Sequence, residues 1–182
     1  MRARARAIGI SLTKWIGAGA LLAAGWSSAS CQDTPLPGTQ LGTFKVTGTT
    51  TTNSCGAALE APDPWVFDAQ LSESSNLIYW SFMDGNSPLS GAVAGTSASI
   101  SATTSANVDP SDAGSGPCTM NRQDAIDLTL AAASAPSSFT GTITYTFTVP
   151  SGSSCSDQLA DAGGQYAALP CTLAYTISGQ LQ

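Results

Sequence analysis

The sequence predicts an all-β fold, a single antiparallel up-and-down β-barrel or a two-layer sandwich of about seven to eight strands. Three observations lead there. Apolar and polar residues alternate with period two through most of residues 42–182. Clusters of Gly, Pro, Asn, Asp and Ser separate the alternating runs. No stretch carries the apolar period of an amphipathic helix. Consecutive antiparallel strands form a meander, and closing it removes the edges that a Thr-rich sheet would present, which favours the barrel.

Along the chain, TFKVTGTTT (43–51) turns Phe44 and Val46 inward. WVFDAQL (65–71) does the same with Trp65, Phe67 and Leu71, leaving Asp68 and Gln70 in water. SESSN (72–76) fits a tight hairpin and leads into LIYWSF (77–82). That run is apolar on both faces, so a loop is expected to cover one of them. After the DGNSP turn (84–88), ASISATTSANV (98–108) sets Ile100, Ala102, Thr104 and Val108 against Ser99, Ser101, Thr103 and Asn107. SGPC (115–118) precedes MNRQDAIDLTLA (120–131). AAASAP (131–136) has helix propensity, but Pro136 stops it. FTGTITYTFTV (139–149) is the cleanest strand, with Phe139, Ile143, Tyr145, Phe147 and Val149 on one face and threonines on the other. CTLAYTISGQL (171–181) closes the set with Leu173, Tyr175, Ile177 and Leu181 inward.

This path constrains the cysteines. Cys55 lies past the far end of the first strand, and Cys118 starts the sixth strand down from that end. Cys155 follows the seventh strand's arrival there, and Cys171 begins the last descent. All four gather at the pole opposite the chain's entry. Three pairings are open. The expected one is Cys155–Cys171, clipping the loop SDQLADAGGQYAALP, with Cys55–Cys118. The runner-up joins adjacent strands, as Cys55–Cys171 and Cys118–Cys155.

The first thirty residues differ from the rest. Arg2, Arg4, Arg6 and Lys14 precede the apolar run WIGAGALLAAGW (15–26) and the small residues SSAS, and no acid occurs before Asp33. A positive start, a short apolar stretch and small residues make a signal peptide over 1–30. The apolar run is too short to span a bilayer, which takes about 20 residues. Two cleavage sites compete: before Cys31, and after Ala29. The first accounts for the cysteine count. An exported chain pairs its cysteines, and five leave one over. If Cys31 carries lipid, the other four can pair. QDTPLPGTQL (32–41) then reads as a polar tether from Cys31 to an all-β domain over 42–182.

Composition excludes several chemistries. From Cys31 onward the cations are Lys45 and Arg122, against twelve acids, a net charge of −10. Such a polyanion neutralises no phosphates, so nucleic acid is not a partner. Histidine is absent, which removes Ser-His-Asp triads, Cys-His nucleophiles and histidine metal sites. No cofactor motif is present. Arg122 and Asp124 share the inward face of the sixth strand, where they form a local ion pair or hold an anionic or polar ligand at a barrel mouth; the local pair is favoured. Asp109, Asp112, Asp157 and Asp161 fall in far-pole loops, where hard oxygens suit Ca²⁺, but their spacing matches no calcium loop and no metal site is expected. Trp65, Tyr79 and Trp80 read as core more readily than as a sugar platform.

The residues SSASC, with Ala29 and Ser30 before Cys31, resemble the lipobox of bacterial lipoproteins, in which the cysteine is acylated; Ser28 stands where leucine is usual. Gln32 after the cysteine, by resemblance to lipoprotein sorting, implies the outer membrane; a periplasmic or secreted soluble form is the alternative. The series GTFKVTG, NSCG, PWVFDAQLS, LIYW, PLSG, FTGTITYTF, SSCSD and LPCTLAYTISG resembles predicted lipoproteins of myxobacteria, a family without an assigned activity. The meander looks like the lipocalin architecture, although GTF (42–44) stands in place of a Gly-x-Trp start. The expectation is a non-enzymatic cell-envelope lipoprotein, held to the membrane by its acyl anchor, with a structural or interaction role. The alternative is a small-ligand binder, for lipid or sugar, with a lipocalin-like cavity.

Overall fold

The computed structural model describes residues 35–109 and 118–182. The expected signal peptide over 1–30, Cys31 and Asp112 lie outside these residues. Eight strands run in chain order: β1 (Thr39–Asn53), β2 (Trp65–Ser74), β3 (Leu77–Ser81), β4 (Leu89–Ala94), β5 (Ser97–Asp109), β6 (Cys118–Leu130), β7 (Ser138–Thr148) and β8 (Cys171–Leu181). Each pairs antiparallel with the next, and β8 returns to β1, so the sheet closes into a barrel. The barrel, not the sandwich, is the fold. Residues 131–137 make bends between β6 and β7 rather than a helix.

The strand that alternation did not single out is β4. Its sequence, LSGAVA, is small and nearly free of polar contrast. Gly91 lies opposite Ile100, and a Cβ there would run into the Ser99 carbonyl. The close approach of β5 therefore requires glycine. The SESSN turn has Ser75 and Asn76 at φ 53° and 63°, the left-handed pair that a two-residue hairpin needs. On β3, Ile78 and Trp80 are buried inside, but Leu77 on the outer face is 42% exposed. Among the described residues no loop covers it, contrary to expectation, because the connections flanking β3 only join neighbouring strands at the poles. β1 begins at Thr39, and Leu36 is already buried. Ser72 Oγ donates to the Pro37 carbonyl at 2.7 Å, so the ordered domain starts slightly before residue 42.

Period two and this register put one face of every strand inside. The interior is filled by a column of aromatic rings. Phe44 meets Phe139 at 5.2 Å, Phe139 meets Trp80 at 5.7 Å, and Trp80 meets Phe82 at 5.5 Å. Phe82, Phe67 and Trp65 continue it upward, and Tyr175 joins Trp65 at 5.0 Å. Gly179 faces Phe139 across the β7–β8 ladder and leaves room for its ring. Aliphatic side chains of Val46, Leu71, Ile100, Ile126, Ile143 and Ile177 fill the gaps. Rings of this size bury about 150–250 Å² each and dominate the packing energy of a small core. Rings and aliphatic side chains thus occupy the barrel interior between its poles.

Strand lengths are unequal. β3 and β4 have 5 and 6 residues, whereas β5 and β6 have 13 each and β1 has 15. One wall of the barrel is therefore low, and the β5–β6–β7 wall stands above it at the pole opposite Thr39.

All four paired cysteines lie at that pole, as the meander requires, but the pairing is the runner-up. Cys55 bonds Cys171, with Cα atoms 4.9 Å apart, and Cys118 bonds Cys155, at 4.8 Å. The expected Cys155–Cys171 and Cys55–Cys118 bridges are absent for a geometric reason. Closure makes β1 the neighbour of β8, so the residue past the end of β1 sits beside the start of β8. The β6–β7 ladder does the same for Cys118 and Cys155. Structural disulfides form in oxidising compartments, which places folding of this domain outside a reducing cytosol. The bridges span sequence separations of 116 and 37 residues. In the chain-entropy picture, removing Cys55–Cys171 costs about 5 kcal/mol and removing Cys118–Cys155 about 4 kcal/mol. Urea titrations of the two double-alanine variants should rank them in that order, and the reverse ranking would contradict it.

Candidate functional site

The high wall carries the candidate site. Its inner face is set by the β5–β6 register, which pairs Ala102 with Asp124, Thr104 with Arg122 and Ala106 with Met120. On the other side of β6, Arg122 faces Phe147 and Asp124 faces Tyr145. Above the aromatic column these residues bound an open cup of about 230 Å³. Thr104, Ala106 and Val108 line one side, Met120 and Arg122 the back, and Phe147 and Tyr166 the other side.

Tyr166 comes from the β7–β8 loop. Two single 3-10 turns, Ser156–Gln158 and Ala160–Ala162, fold that loop back on itself. Ala160 N–H donates to the Tyr166 carbonyl at 2.8 Å, and Tyr166 N–H donates to the Gln158 carbonyl at 3.0 Å. The loop thus delivers the Tyr166 ring to 5.4 Å from Phe147 without the disulfide clip expected for it. Met120 and Phe147 pack with Cys118 and Cys155 in a small apolar cluster. The Cys118–Cys155 bridge therefore anchors the back of the cup.

Arg122 and Asp124 form the local ion pair. Arg122 Nε donates to Asp124 Oδ1 at 2.7 Å, and Nη2 donates to Oδ2 at 2.8 Å. The Asp124 side chain is 7% exposed and that of Arg122 50%. A carboxylate at this depth needs such a partner to repay desolvation. The bidentate pair uses two of the five guanidinium N–H donors. The guanidinium also stands 5.5 Å from the Tyr145 ring centroid. Burial, and secondarily the Asp124 charge, push the Tyr145 phenol well above its ordinary value. Tyr166 is raised too, chiefly by burial. Both rings stay neutral at physiological pH, so the cup offers apolar surface, the Tyr166 phenol and one charge-balanced guanidinium.

The other candidate residues do not converge. Asp109 ends β5, while Asp157 and Asp161 lie in the separate 3-10 turns. Among the described residues no three metal-ligating side chains gather. Trp65 and Trp80 belong to the interior, and Tyr79 points to the opposite face, so the three make no sugar platform. A wider cleft of about 640 Å³ lies at the N-terminal pole, lined by Gly38–Leu41, Glu73–Ser75 and Ala133–Ala135. Glu73 is the one charged side chain among these.

Inward parity exposed Arg122, Asp124 and Phe147 in the sequence. Tyr166 carried no such signal, since its position depends on the loop's own backbone bonds. Substituting Arg122→Leu strands the Asp124 carboxylate and should lower stability by roughly 1–3 kcal/mol. The double variant Arg122→Leu/Asp124→Leu should recover most of that loss. Chemical denaturation of the three proteins checks this, and a double variant as unstable as the single would contradict it.

Compared with known proteins, the chain matches no protein family, no curated protein and no solved structure.

Proposed function

We propose that the mature protein is a non-enzymatic lipoprotein of the cell envelope, acylated at Cys31 and carried at the outer membrane, whose mouth pole serves as an interaction surface. Kinship with the predicted lipoproteins of myxobacteria belongs to the same proposal. One observation carries the interaction role. The barrel is packed with rings, and its working surface stands at the pole opposite the point where the chain enters. An anchor before Thr39 would join the barrel at the other pole. The missing histidines and the charge-balanced Arg122–Asp124 pair support a role without catalysis.

The second reading, a small-ligand binder, draws on the cup itself. At about 230 Å³ it falls below the usual 300–1,000 Å³ of an enclosed ligand site. It takes one ring or a short apolar chain rather than a whole lipid. That limit favours docking of part of a larger partner.

Intact-mass analysis of the protein extracted from its native membranes tests the anchoring. The expected species begins at Cys31, carries acyl mass and lacks the hydrogens of two disulfides. An unmodified N-terminus at Ser30 would overturn the lipoprotein assignment. A lipid or sugar that raises Tm by several degrees in the same preparation would shift the role to the second reading.

A further inference from the structure

The low wall leaves β5 half-paired. β4 partners β5 only as far as Gly91 opposite Ile100. Hydrogen-bond parity then identifies which groups are exposed. Leu130 N–H donates to the Thr96 carbonyl at 2.8 Å, so even-numbered residues at this end of the β5–β6 ladder exchange main-chain bonds across it. On the far side, Val93 N–H donates to the Asn76 carbonyl at 3.0 Å, which commits odd residues of β4 to β3 and even ones to β5. Ala92 opposite Ser99 fits that alternation. Odd residues of β5 thus turn their main-chain groups away from β6. Above Ile100, the N–H and C=O of Thr103, Ser105 and Asn107 meet no strand among the described residues.

Natural edges are blunted by lysine, proline or inward charge. Ser97–Val108 has no charged residue and no proline. The neighbouring even residues Thr104 and Ala106 line the cup. A strand laid along this edge would therefore bring alternate side chains over the cup, with Met120, Phe147 and Tyr166 beneath.

Charge selects the occupant. Glu60 and Asp63 lie in the β1–β2 loop, Asp84 in the β3–β4 loop, and Asp157 and Asp161 in the β7–β8 loop, all at this pole. Asp84 stands on the connection directly above the low wall. The nearby cation Arg122 is matched by Asp124, and Lys45 is 3.2 Å from Asp68. A second copy would bring the same −10 charge to the contact. Building on the interaction role above, we infer that the free edge of β5 accepts an extended cationic segment of a partner protein by strand addition, with one aromatic or large apolar side chain seated in the cup.

The test uses purified mature protein and a synthetic ten-residue peptide of alternating Lys and Thr with one central Phe. Binding is read by calorimetry. N-methylating the peptide amides in one alternating phase should weaken binding about tenfold or more, and methylating the other phase should not. Ser105→Pro, which removes one edge N–H and leaves the β6 ladder intact, should weaken it similarly, while Ser105→Val retains it. Replacing every Lys with Glu should abolish binding. Equal effects of the two methylation phases, or a Ser105→Pro protein with unchanged circular dichroism that binds like the parent, would overturn strand addition. Binding that follows the Phe but not the peptide amides would also overturn it and leave the mouth as the interaction surface. Concentration-dependent dimers that Ser105→Pro abolishes would give the edge to a second copy and overturn the cationic partner. An unacylated Cys31 bears on the anchoring alone and leaves these outcomes unchanged.

Discussion

Phe44 and Phe139 meet at 5.2 Å near the N-terminal pole, and from there the rings continue through Trp80, Phe82 and Phe67 to Trp65 and Tyr175. Eight strands enclose just enough space for side chains to fill, or for one small ligand. This barrel takes the first option. With the interior occupied, recognition moves to whatever the strand ends expose. The Asp124 carboxylate marks the boundary: below it the core is apolar, and above it the cup opens beside the Arg122 guanidinium.

The second consequence comes from strand length. A closed barrel abolishes edges only where neighbours match. β3 and β4 stop early, and β5 continues for several residues with no partner strand on that side among the described residues. The disulfides hold the tall side in place. Cys118–Cys155 staples β6 to the segment past β7, and Cys55–Cys171 staples the seam between β1 and β8. The Cys118–Cys155 bridge braces the wall that carries the cup and the free edge. The connection bearing Asp84 joins the two short strands of the low wall at the same pole as the cup.

Much of this was legible in the sequence, and the reasons differ by feature. The Thr-alternating runs at 139–149 and 171–181 specify which residues face inward, because a one-residue slip would turn every side chain over. Parity alone put Arg122 and Asp124 on the inner face. The pole of the four cysteines followed from strand counting, although the fourth strand, LSGAVA, was visible only as a gap between turns. Its small residues carry little alternation, and Gly91 is there for backbone approach rather than side-chain packing. Disulfide partners were misread because a short loop between Cys155 and Cys171 looked decisive. Barrel closure, a non-local constraint, outweighed it. The cup stayed hidden for the same reason: it needs unequal strand lengths and the loop-borne Tyr166, neither of which leaves a periodic trace.

The half-paired upper β5 is the feature on which the cup's accessibility and the strand-addition site both rest. Residue-resolved amide hydrogen exchange on the isolated protein measures it directly. The amides of Thr104 and Ala106, committed to β6, should be protected, while those of Thr103, Ser105 and Asn107 should exchange about a hundredfold faster. Equal protection along Thr103–Asn107 would contradict the account, since it would mean that this edge already has a partner within the chain.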